Sequence, residues 1–163
     1  MTHWKAGVLF CLIASAGDLL AQGDATRGLS IFEGKGACLT CHRVSAKGSR
    51  MGPDLTDIGT LRAPEVLAKA LLAPNPEVQP QNKLYRVATT DGTVVMGKLI
   101  NQDIFSIQML DSKERLISFQ KAKLKEQGSV PTPAMPSYEG KLTKAEQSDV
   151  LAYLATLKGV VKQ

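Results

Sequence analysis

Cys38-Leu39-Thr40-Cys41-His42 gathers two thiols and an imidazole within one turn of chain. Four chemistries use such a set. A thioredoxin-like dithiol needs the same cysteine spacing but a βαβ surrounding, which this sequence lacks. A structural zinc needs four ligands, and the only other cysteine and histidine, Cys11 and His3, lie close to the N-terminus. A plain disulfide leaves His42 without a task. The fourth chemistry uses all three side chains. The thiols bond to the two vinyl groups of a haem, and the imidazole donates its electron pair to the iron. The spacing therefore predicts one covalently attached haem c, with Cys38 and Cys41 as the attachment points and His42 as an axial ligand.

His3 and Cys11 fall in a segment with the marks of a secretory signal. Lys5 supplies the positive start, Ala6 to Ala16 an apolar run, and Ala14-Ser15-Ala16 a cleavage site, with cleavage after Ala21 as the alternative. The run is shorter than the ~20 residues that span a bilayer. Residues 1–21 are expected to be a cleaved signal peptide, leaving a periplasmic or secreted protein with no stable membrane span. Val8-Leu9-Phe10 before Cys11 argues against lipidation. The net charge of +5 survives cleavage, because Lys5 and Asp18 cancel. Its basic residues are scattered rather than run together, so no nucleic-acid partner is expected.

The second axial position decides whether the iron only passes electrons or also meets a small molecule. After cleavage His42 is the only histidine, so a thioether is the remaining soft donor. Met51 is too close in sequence to His42 to reach the opposite haem face. Met96 and Met109 occupy alternating strand positions that read as sheet core. Met135, in the stiff loop Pro133-Ala134-Met135-Pro136, is the expected ligand.

The elements that must hold these residues are legible in outline. Asp24 can cap a first helix that runs through Gly28, Leu29 and Phe32 toward Gly34 and leads into the cysteines. Pro64 opens a second helix with Val66, Leu67, Ala70 and Leu71 on one face, ended by Pro74, Pro76 and Pro80. From Leu84 to about Gly128 the pattern alternates: Tyr85, Val87 and Thr89, then Val94 and Met96, then Phe105, Ile107 and Met109, then Ile117 and Phe119. Asp91-Gly92 marks a hairpin turn, and four or five short antiparallel strands are expected. Thr143 and Glu146 have the spacing of a capping box for a last helix carrying Val150, Leu151, Leu154 and Leu157. The fold class is α+β, with 22–163 as one domain of 163-residue precursor and a β subdomain at about 84–128.

This order of features resembles class I c-type cytochromes: the haem motif near the start, Gly52-Pro53-Asp54-Leu55 after it, Met135 before the last helix and Leu151-Ala152-Tyr153-Leu154 within it. The resemblance implies a helical haem fold with an inserted small antiparallel β-sheet or barrel. Removing Leu84 to Gly128 leaves a His42-to-Met135 gap suited to a compact class I domain. It also implies that Gly28 and Phe32 cross the last helix at Val150 and Tyr153, and that the Pro53 carbonyl supports His42. The stretch Tyr85 to Leu99 is similar to the planctomycete-type haem-binding domain, a family found at the C-terminus of large exported proteins beside dehydrogenase-like propellers.

The resulting expectation is an electron carrier rather than an enzyme, working between redox proteins such as a periplasmic dehydrogenase and a terminal oxidase or other cytochrome. Lys35, Arg43, Lys47 and Arg50 could steer an acidic partner to the haem edge. The alternative is a haem-based small-ligand sensor or peroxidase-like enzyme with an open sixth position. The strands would serve either as a docking module or as a lid over the haem edge.

Overall fold

The computed structural model describes residues 23–74, 82–131 and 135–159 and is mixed helix and sheet. The expected signal peptide at 1–21 lies outside the described residues, as do Pro76, Pro80 and Pro133. Helix α1 (Ala25–Glu33) begins where the Arg27 N–H donates to Asp24 at 2.8 Å and stops at Gly34. A single turn, α2 (Ile58–Leu61), precedes α3 (Pro64–Leu72), which starts on its proline. Helix α4 (Lys144–Thr156) opens on the expected reciprocal box. The Glu146 N–H donates to Thr143 Oγ1 at 3.2 Å, and the Thr143 N–H to Glu146 Oε2 at 2.8 Å.

Helices α1 and α4 cross at Gly28. A Cβ there would sit 1.9 Å from the Asp149 carbonyl oxygen and 2.8 Å from Tyr153 Cβ, so only glycine lets the two backbones meet. Phe32 and Tyr153 meet beside the crossing at a tilt of 59°, with ring centroids 5.2 Å apart. Asp149 is buried there and fully engaged: it accepts from the Asp24 N–H at 2.7 Å and from Arg27 Nε and Nη2 at 2.8 and 2.9 Å. Phe32, Leu67, Leu71, Leu142, Val150 and Leu154 form the helical core. Val66, expected on the buried face of α3, is exposed; Leu67 and Leu71 alone make that stripe, and the neighbouring position turns away by about 100°.

Strands β1 (Arg43–Val44) and β2 (Lys47–Gly48) form a small hairpin directly after the cysteine motif. The larger sheet comprises β3 (Leu84–Thr89), β4 (Val94–Gln102), β5 (Ser106–Asp111), β6 (Leu116–Gln120) and β7 (Leu124–Ser129). Its order is β6-β5-β4-β3-β7, antiparallel throughout. The edge strands β6 and β7 are joined by only the 3₁₀ turn Lys121–Lys123. A flat five-stranded sheet would separate them by about 19 Å, whereas that connection reaches at most about 14 Å. The sheet is therefore rolled, and register shifts at Ala88/Thr89 and Leu99/Asn101 supply bends. Tyr85, Val87, Ile107 and Met109 fill its interior.

Two core expectations fail here. Val94 and Met96 are exposed, because Gly97 and Leu99 belong to the inward face of β4 and alternate positions point outward. Phe105 is 74% exposed and precedes β5: Asp103 accepts the N–H groups of Phe105 and Ser106, each at 2.7 Å, and forms a turn. The two ends of the sheet adjoin. Tyr85 pairs with Ser129, and the Val130 N–H donates to the Leu84 carbonyl at 2.7 Å.

Candidate haem site

The cysteine motif is shaped by backbone bonds before any cofactor is considered. Ala37 adopts φ 48° and turns the chain out of α1, and Cys38–Thr40 form a 3₁₀ turn. The Cys41 and His42 N–H groups both donate to the Cys38 carbonyl, at 3.2 and 2.8 Å. Residues three apart on such a turn point the same way, so the two thiols share one side. Cys38 is half-buried and Cys41 exposed, both as free thiols. Burial pushes the Cys38 thiol up, opposed by a hydrogen bond with Tyr138.

His42 is held from three directions. Its Nδ1 lies 2.9 Å from the Pro53 carbonyl oxygen. A carbonyl can only accept, so Nδ1 carries the proton and Nε2 keeps its lone pair. Gly52 lies against the ring: a Cβ there would come within 3.0 Å of Nδ1 and 3.1 Å of Cε1. The Gly52 N–H donates to the Cys41 carbonyl at 2.6 Å, and Ser49 N–H to the His42 carbonyl at 3.1 Å. Burial lowers the affinity of the imidazole for a second proton, the Pro53 carbonyl acts in the opposite sense, and the Lys98 charge lowers it further. The result is a neutral imidazole with one nitrogen committed and the other available.

Met135 packs against the same apolar cluster as Cys38, Leu39, Leu55 and Ile58. The adjoining residues are pinned: Ser137 Oγ donates to the Leu72 carbonyl at 2.5 Å, and the Tyr138 N–H to Leu71 at 3.1 Å. The Tyr138 hydroxyl donates to the Gly36 carbonyl at 2.5 Å, tying the methionine segment to the approach to the motif. Burial, with the Cys38 thiol beside it, pushes the Tyr138 phenol up to about 12. Tyr138 was not singled out from the sequence. Its signal is an aromatic with a polar tip three positions after the candidate methionine, which on burial needs an acceptor.

The donor set suits a haem. Two thiols on one side of a turn match two vinyl positions, and the Met135 thioether packs against the same apolar cluster as Cys38. Among the described residues no group of three or more His, Cys, Asp or Glu converges to hold a metal ion. The model of the cytochrome c family matches residues 25–158. The chain belongs to the cytochrome c family. Membership implies a covalently bound haem c and one-electron transfer. No curated protein matches the chain. Among the described residues, no helix of this cytochrome is long and apolar enough to cross a membrane.

The basic residues around the motif are less available than their spacing suggests. Lys35 pairs with Glu146 at 2.8 Å, Lys47 with Glu33 at 2.6 Å and Arg50 with Glu114 at 3.1 Å. Each pair joins different parts of the chain, so these cations serve the fold as well as the surface. Arg43 differs, its buried Nε having no hydrogen-bond partner.

Proposed function

We propose that this cytochrome is exported, carries one haem c on Cys38 and Cys41, and passes single electrons between redox proteins. The observation that carries the reading is the His42 Nδ1 to Pro53 contact of 2.9 Å, which leaves Nε2 free to face an iron. Bound there, the haem supplies a one-electron couple whose potential depends on its axial ligands and surroundings. His42 would give the nitrogen ligand and Met135 the sulfur ligand. Pro53 fixes the imidazole plane. The apolar cluster around Leu55, Ile58, Leu67 and Leu71 would give a haem bound there surroundings of low polarity. With His42 and Met135 as its two ligands, a haem would offer no open position to substrate, which favours a carrier over an enzyme. The Tyr85–Leu99 stretch supports placement in the planctomycete-type group, and a dehydrogenase as donor with an oxidase or another cytochrome as acceptor.

Reduced-minus-oxidised spectra of the exported protein test the reading, with and without carbon monoxide. The expected result is a c-type spectrum that carbon monoxide leaves unchanged, and a Met135→Ala variant that binds the gas rapidly. Rapid binding by the native reduced protein would instead favour the sensor or peroxidase-like alternative. Absence of Soret absorbance would remove the haem assignment altogether.

A further inference from the structure

Lys98 lies on β4, between Leu84 of β3 and Leu110 of β5, and belongs to the rolled sheet rather than to the helical half. Its ammonium nonetheless reaches the loop beside His42, donating to the Arg50 carbonyl at 3.0 Å and the Gly52 carbonyl at 3.2 Å. The second of these carbonyls belongs to the peptide that joins Gly52 to Pro53, and the next carbonyl along is the one that accepts the His42 Nδ1 proton. The same loop is gripped a second time. Glu114, in the turn between β5 and β6, takes the Arg50 backbone N–H and its Nε, each at 3.1 Å. Arg50, Gly52 and Lys98 also line a groove of about 250 Å³, together with Arg43, Asp54 and the apolar Ile100 and Leu110.

We propose that Lys98 is a positioning residue for His42 and raises the reduction potential of the haem, making the inserted sheet part of the redox centre rather than a detachable lid. This rests on the reading of His42 as the iron's nitrogen ligand. Bonds to two carbonyls two residues apart hold this loop, and the one to Gly52 fixes the plane of the 52–53 peptide and through it the direction of the Pro53 carbonyl. Loss of an outer contact that orients a ligand typically costs a metal centre about 10- to 100-fold in affinity or activity. A lysine charge held on the imidazole side opposes the additional positive charge of the oxidised iron, so it favours the reduced state. At the intermediate dielectric of a partly buried site such a charge remains effective over several ångströms. Asp54 offsets some of it, and Arg50 is already paired with Glu114.

Potentiometric titration of the holoprotein tests the proposal. For Lys98→Met the expected result is unchanged haem content, a retained sulfur-to-iron charge-transfer band and a lower midpoint, with the reduced-to-oxidised ratio at fixed applied potential falling about fivefold. Lys98→Arg should restore most of the shift. Should the methionine variant fail to fold, Lys98→Gln keeps an amide donor without the charge and should lower the midpoint in the same direction. A folded, haem-loaded Lys98→Met or Lys98→Gln protein with the native midpoint would overturn the assignment. A native protein that carries no haem would instead defeat the reading it rests on, before any variant is made.

Discussion

At the scale of single residues, the site depends on atoms that are missing as much as on those present. Gly52 has no Cβ to strike the imidazole, so Gly52→Ala must tilt the ring and stretch its bond to Pro53. Lost outer-shell support of this kind costs about tenfold in metal affinity, and purified, reduced Gly52→Ala should bind carbon monoxide more readily than the native protein because its imidazole holds the iron less firmly. Asp149 argues from charge. Its Arg27 bonds, then the Asp24 N–H, hold its carboxyl below the ordinary value of 3.8. A group with a depressed folded value stabilises the fold fully above its unfolded value, and that contribution disappears as pH falls through the folded one. Thermal unfolding across a pH series should show Asp149→Asn less stable than the native chain near neutrality and the two curves converging in acid. The cysteines and His42 were legible because their chemistry follows from type and spacing, and Pro53 was legible only through the family resemblance. Lys98 and Asp149 were not, since their partners lie far away in sequence and a single lysine or aspartate carries no local sign of that.

Among the elements, the α1–α4 crossing has the least tolerance. Gly28→Ala would place a methyl group against the Asp149 backbone, which cannot rotate aside as a side chain can, and should cost about 3 kcal/mol in a denaturant titration. Thr143→Ala removes only one half of a cap and should cost about 1 kcal/mol by the same measurement. Helix starts were readable because a cap is a local event: Asp24, Pro64 and Thr143 each announce one. The strands were readable as strands from their alternation, but the face they bury was not. Met96 and Met109 look equivalent along the chain, yet Met109 is fully buried and Met96 is not, because inward and outward are decided by neighbours across the sheet. The turn α2 had no signal beyond four ordinary residues.

For the molecule as a whole, the adjoining ends of the sheet matter most. Leu84 and Val130 are bonded to one another, so the helical half sees the long segment between them as almost no connection at all. The entropy of closing a loop depends on the length of free chain, and a sheet built from neighbouring hairpins can remove that length before α1 meets α4. Weakening the sheet should therefore slow assembly of the helices that bear none of the change. Tyr85→Ala, at the pairing with Ser129, is expected to lower the refolding rate of the apoprotein followed by helical circular dichroism. The ladder of ordinary backbone bonds at the neck of the insertion would then act as a timing device, deciding when the two ends of the polypeptide first find each other and how long the thiols wait in an unfinished shape.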